Sequence, residues 1–100
     1  MASSNSLVKT GTIVGTGAAI TVSGDKVGFR PTYVRLINVT DGSSAEHVEG
    51  MADASMAKQK GATTSFVTSG GITLTSTGFT LGTDTDLNAA SDVIHYVAIG

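Results

Sequence analysis

The stretch TYVRLINVT (32–40) decides the reading of this chain. Val34 and Leu36 fall on one side of an extended backbone, while Tyr33, Ile37 and Val39 fall on the other. β-Branched and aromatic residues at this density favour a pleated strand. Apolar side chains on both faces imply a strand covered on both sides or lying at a contact.

Its surroundings extend the pattern. Asp41-Gly42-Ser43-Ser44 is a turn, because Asp and Gly accept backbone angles that other residues resist. AEHVEGM (45–51) then reads as a partner strand completing a hairpin. AAITVS (18–23) alternates Ala18, Ile20 and Val22 against Ala19, Thr21 and Ser23, as a half-buried antiparallel strand does. LVKTGTIV (7–14), ATTSFVTS (62–69), GITLTS (71–76) and GFTLG (78–82) read as further strands, with Gly70-Gly71 and Thr77-Gly78 as the turns between them. The closing run DVIHYVAIG sets Val93, His95, Val97 and Ile99 against Ile94, Tyr96 and Ala98. MADASMAKQK (51–60) alone has helical character and reads as a short helix or an ordered loop. Strands with turns every eight to twelve residues predict a single antiparallel β-sandwich or small barrel over 7–100, with at most one short helix. Residues 1–6 (MASSNS) have nothing to bury and read as a flexible arm.

Composition narrows the function classes. Of 100 residues, 40% are hydrophobic and 14% charged, which is too apolar for a disordered chain. The net charge of −2, with basic residues scattered at Lys9, Lys26, Arg30, Arg35, Lys58 and Lys60, supplies no basic patch for nucleic acid. No apolar run approaches the ~20 residues of a membrane span, and the first residues lack the pattern of a signal peptide. There is no cysteine, hence no disulfide. Fifteen Thr, thirteen Gly and eleven Ser suit strands and turns, and the low charge suits a surface that packs against other protein.

The candidate chemical sites are few. Asp84, Asp86 and Asn88 in DTDLN have the two-residue spacing of calcium-loop ligands. However, the sixth position is Ala89 and the twelfth His95, where such loops need Gly and Glu. A loop stabilised by its own Asp and Asn side chains is the preferred reading. His47 and His95 lack the spacing of a zinc pair, and His95 reads as a partly buried strand residue. Glu46 and Glu49 read as solvated carboxylates on opposite sides of a strand. GTIVGTGAAI (11–20) is neither a phosphate loop nor a dinucleotide fingerprint, and no serine lies in G-x-S-x-G. The expectation is a protein without catalytic residues, cofactor or metal.

Three segments carry a resemblance: VGFRPTYVRLINVTDG (27–42), VEGMADASMAKQ (48–59) and GFTLGTDTDLNAASDVIHYVAIG (78–100). In this order they resemble small structural proteins of tailed bacteriophages, the head-decoration or particle-associated proteins. The resemblance covers more than half the chain and implies a non-enzymatic virion subunit. Such a subunit would be a homotrimer or other homo-oligomer, assembled in the host cytoplasm and seated on the major capsid protein lattice. Leu7, Val8, Tyr33, Arg35 and Ile37 are its expected protein-binding residues. A tail-fibre or spike domain binding a receptor or glycan is the alternative. Within the matching motifs, Gly28 is expected to turn the chain before Phe29, which would plug one end of the fold. Asn38 is expected to bond backbone at its strand end, and Gly50 and Gly82 to take unusual backbone angles.

Overall fold

The computed structural model describes residues 7–100. Eight strands form one antiparallel sheet: β1 (Val8–Val14), β2 (Ile20–Ser23), β3 (Tyr33–Asn38), β4 (Ser43–Val48), β5 (Ser55–Lys60), β6 (Thr63–Thr75), β7 (Gly78–Leu81) and β8 (Val93–Ile99). Their order across the sheet is β1-β8-β3-β4-β5-β6-β7-β2, and the sheet curls into a half-barrel. The all-β class is as expected, with one short 3-10 turn at Gly24–Lys26 as its helical content. The curl is the small-barrel alternative, left open, rather than two stacked sheets.

Period-two alternation builds the core. β3 turns Val34, Leu36 and Asn38 inward, and β8 turns Ile94, Tyr96 and Ala98 inward. Cross-strand partners Val34–Ala98 and Leu36–Tyr96 lie side by side on the concave face. Met56, Ile72, Phe79, Leu81 and Val22 close the same core from the other half of the sheet. Phe79 meets Tyr96 edge-on, with ring centroids 5.6 Å apart, a favourable arrangement for two ring quadrupoles. The Tyr96 hydroxyl donates to the Lys26 carbonyl at 2.6 Å, which satisfies the phenol in the core. Burial pushes its pKa above the ordinary tyrosine value. Phe29 packs against this core after a turn at Gly28, whose φ is +85°.

Several local expectations are corrected. Of the two expectations for β3, cover on both sides within the chain is not met, since Tyr33 and Arg35 are half-buried and Ile37 and Val39 are exposed; the reading of an outer face at a contact stands as an expectation. His95 is exposed, because it shares the outward side of β8 with Val93 and Ile99. The predicted helix or loop at 51–60 is a turn followed by strand β5. Met56 and Lys58 point inward from β5, and pairing with both β4 and β6 overrides the modest helix preference of Met, Ala and Lys. Gly70-Gly71 does not separate two strands but bends the single long strand β6. Its first part pairs with β5 and its last part with β7, and the β5–β6 register slips at the bend. Gly70 adopts φ +73° there. Gly50 takes the left-handed region at φ +101°, whereas Gly82 does not. Gly82 is required for close approach instead, since a Cβ would lie 2.6 Å from the Gly70 carbonyl carbon.

The tightest backbone approach is at Gly78, where an added Cβ would lie 1.9 Å from the Val22 carbonyl oxygen. This position joins β7 to β2. Gly78→Ala is therefore expected to lower unfolding free energy by about 2 kcal/mol or more. Urea unfolding checks this, and an unchanged midpoint would show that β2 yields freely.

Candidate functional site

Two regions hold the residues singled out from the sequence: the loop between β7 and β8, and the outer face of the sheet. The loop lies over the concave face and inserts Leu87, fully buried, into the core. Its backbone must then find partners away from water. Asn38 and Asn88, both 0% exposed, provide them.

Asn38 Nδ2 donates to the carbonyls of Asp86 (3.0 Å) and Leu87 (3.2 Å) and to Asp92 Oδ2 (2.9 Å). Its Oδ1 accepts from the backbone N–H groups of Thr40 and Asp41, at 3.0 and 2.8 Å. The expected bonding of Asn38 to backbone at its strand end is thus present, and the same side chain also grips the loop. Asn88 works from the other side. Its Nδ2 donates to Ala18 O (2.7 Å) and Gly82 O (2.8 Å), and its Oδ1 accepts from Thr16 N (3.0 Å) and Gly17 N (3.4 Å). All four hydrogen-bonding positions of the carboxamide are used.

Asp84 and Asp86 face lysines. Lys58 Nζ lies 2.9 Å from Asp84 Oδ2 and 2.7 Å from Asp86 Oδ2. Lys60 Nζ lies 2.8 Å from Asp86 Oδ1 and 3.2 Å from Asp41 Oδ1. The other oxygen of Asp84 accepts from the backbone N–H groups of Asp86 (2.9 Å) and Leu87 (3.1 Å), closing an Asx turn. The three candidate calcium ligands therefore do not converge. The two carboxylates meet on an ammonium group, and the Asn88 oxygen points to the Thr16 amide. Among the described residues, no cluster of three or more His, Cys, Asp or Glu could hold a metal ion.

Hydrogen bonds from Lys58, then Lys60, hold the Asp86 carboxyl below its ordinary pKa. Burial works to lower the Lys58 pKa, but the bonds to Asp86 and Asp84 outweigh it and the net shift is upward. Lys60 is raised by its bonds to Asp86 and Asp41. The lysine partners were not identified from the sequence. Their signal is a matched pair of spacings, Lys58-x-Lys60 on a strand against Asp84-x-Asp86 in a turn.

The histidines and glutamates stand apart. His47 is buried and its ring Nδ1–H donates to the Ser55 carbonyl at 2.8 Å, whereas His95 Nδ1 meets the Thr12 hydroxyl at 3.0 Å. Glu46 pairs with Arg35 at 3.3 Å and accepts from the Tyr33 hydroxyl. Burial, followed by the bond to Glu46, raises the Tyr33 pKa. Glu49 lies beyond β4 and faces Arg30 at 3.8 Å.

The outer face is unusual for a solvent-facing sheet. Cross-strand register sets Val8, Ile99, Tyr33 and Val48 in one row, and Val14 beside Val93 in another. Ile37 lies between the rows, and the Val39 N–H bonds the Val93 carbonyl at the far end. Exposure of the seven aliphatic residues runs from 36% (Val93) to 57% (Val14). Together they present on the order of 500 Å² of apolar surface, near the top of what a lone soluble domain leaves uncovered. The sequence-predicted contact residues Val8, Tyr33, Arg35 and Ile37 all belong to this face. Leu7 is exposed beside it, with its carbonyl accepting from the Gly100 N–H at 2.8 Å. Val14, Val39, Val48, Val93 and Ile99 were missed as contact candidates.

Comparison with known protein families, with curated proteins and with solved structures finds no match.

Linkage gives the pH dependence its sign. A depressed carboxyl pKa stabilises the fold above its unfolded value of about 3.9, and the benefit is lost as pH falls through the folded value. The raised lysine pKa values act in the opposite sense, stabilising below about 10.4 and failing as pH rises through the folded values. Stability is expected to be level between these limits and to drop beyond both. Lys58→Met is expected to cost about 2 kcal/mol at neutral pH, because it leaves the poorly solvated Asp84 carboxylate without a counter-charge and Asp86 with Lys60 alone. That deficit should shrink towards pH 3 as the Asp86 carboxyl protonates, and a deficit constant from pH 7 to pH 3 in thermal melts would refute the charge-based account. Separately, adding calcium or a chelator is expected to leave Tm unchanged. A calcium-dependent rise of several degrees would show that the cation displaces Lys58.

Proposed function

We propose that this chain is a non-enzymatic structural subunit of a phage particle, specifically a capsid decoration or cement protein. Its outer sheet face would bind the major capsid protein lattice and its neighbours. The carrying observation is the outer face: the rows around Val8, Val14, Val93 and Ile99 offer apolar area without covering it. A standard protein interface buries about 800 Å² per partner, and this face supplies much of that from side chains already ordered by the sheet. The Tyr33–Glu46–Arg35 cluster lies among them and gives polar specificity at a mostly apolar contact. The resemblance of residues 27–42, 48–59 and 78–100 to virion proteins supports a partner of that kind.

The mechanism is mechanical. Each contact is modest, but repetition over a lattice makes attachment collectively strong. The concave side has no part in it, being filled by the core and the β7–β8 loop. Among the described residues there is no cavity of ligand size, so binding through a flat face is the better fit to the shape.

Quantitative mass spectrometry of purified particles tests the assignment, and hundreds of copies per particle are expected. A handful of copies would favour the tail-fibre reading, and absence from the particle would reject a virion role. Ile37→Lys with Val93→Lys is expected to reduce particle attachment at least tenfold while leaving Tm within about 2 °C, since both side chains are exposed. Undiminished attachment by the folded variant would exclude the outer face.

A further inference from the structure

Among the described residues, three of the longer stretches of unpaired strand edge differ in kind. β1 forms one end of the sheet and carries Lys9, which lies on the concave side with Gly11 and Ile13. An inward-pointing charge is a common guard against edge-to-edge pairing. β2, at the other end, has four residues and runs straight into the Gly24–Lys26 turn, which lies against β1. The third edge is internal to the order. β7 pairs with β6 only from Ile72 to Thr75, so among the described residues the first part of β6 has β5 on one side and no strand on the other.

That open edge is Thr63–Ser69, TTSFVTS. It has no charge, no proline and no glycine, and six of its seven residues are exposed. Phe66 is 61% exposed on the outer side, opposite Ala57 of β5. The nearest lysines, Lys58 and Lys60, are neutralised by Asp84, Asp86 and Asp41. An edge of this length and composition, lacking any of the usual guards, is a template for strand pairing.

We propose that Thr63–Ser69 pairs antiparallel with the same segment of a second copy, about a two-fold axis through Phe66, to make a dimer with one continuous sheet. The occupant is a second copy because an antiparallel edge without charge is its own complement: no register sets like charges opposite each other. In the register centred on Phe66, the two rings are cross-strand neighbours on the outer side. Thr64 then lies opposite Thr68 of the second copy, a favourable pair as well. A two-fold contact uses the same edge in both chains and so closes instead of growing into a fibre. This inference rests on the β6 edge alone and is independent of where the subunit sits in a particle.

The full chain in free solution tests it. Sedimentation at about 100 µM, where a micromolar Kd gives mostly dimer, is expected to report twice the 10.0 kDa of one chain. Thr64→Lys with Thr68→Lys should convert it to monomer. Because the chain has no cysteine, Phe66→Cys should form a disulfide-linked dimer under mild oxidation at least tenfold faster than Thr10→Cys on β1. Hydrogen exchange of the unmodified protein should show the 63–69 amides protected more strongly as concentration rises. A monomer or a trimer, a lysine variant that is folded yet still dimeric, equal cross-linking at the two cysteines, or unprotected 63–69 amides would each overturn the proposal. Protection of these amides only when particles are added would assign the edge to a capsid strand and overturn it equally. If the lysine variant unfolds, the cysteine pair and the exchange data still decide. A monomer that attaches to particles normally would refute the dimer while leaving the proposed function intact.

Discussion

The carboxamide of Asn38 is the constraint on which the rest of the molecule depends. A single curled sheet has one concave side and no second sheet to cover it. The cover here is the β7–β8 loop, which drives Leu87 into the core and carries the Asp86 and Leu87 carbonyls with it. Unsatisfied, each such buried group costs about 1–3 kcal/mol. Asn38 reaches them from the centre of the sheet while fixing the β3–β4 turn with its own oxygen. Asn88 ties the same loop to the β1–β2 connection. Strand, turn and lid are thus held by two side chains, each only a few atoms long.

Charge neutralisation is the condition that lets the lid sit so close. Asp84 and Asp86 would oppose burial beside Leu87 if left unpaired. Lys58, from an inward position on β5, and Lys60 one turn of the pleat further on, supply the counter-charge. This also explains why 55–60 is extended. The lysines must stand on one side of a strand to reach carboxylates more than twenty residues away, and a helix would rotate them apart.

That dependence separates what was legible in the sequence from what was not. The alternation in 18–23, 32–40 and 92–100 is a local property, and the strands follow it. The Asx geometry of DTDLN was legible for the same reason, since Asp84 bonds to backbone two and three residues on. The identity of β5 was not, because its cause lies in the loop 26 residues away. Gly70-Gly71 was ambiguous in kind: glycine marks a turn and a kink equally, and only the offset pairing of β6 with β5 and β7 distinguishes them. On the outer face, Tyr33, Arg35 and Ile37 could be placed opposite Val34 and Leu36. Alternation does not say whether a second face is covered, so His95 was taken as partly buried and Val14, Val39, Val48, Val93 and Ile99 were not placed at a contact.

The distribution of polar bonding then bears on function. On the concave side Asn38, Asn88, His47, Tyr96 and the lysine–aspartate network are internally satisfied, and satisfied groups have little affinity left for a ligand. The convex side is the reverse. Its valines and isoleucines are held rigid by ladder hydrogen bonds yet gain nothing from water, so covering them recovers hydrophobic free energy at small entropic cost. Threonine-rich strands with few charges keep such a face soluble while leaving little electrostatic repulsion to an approaching protein surface. That contrast between the two sides is the physical basis of the structural role proposed for the chain.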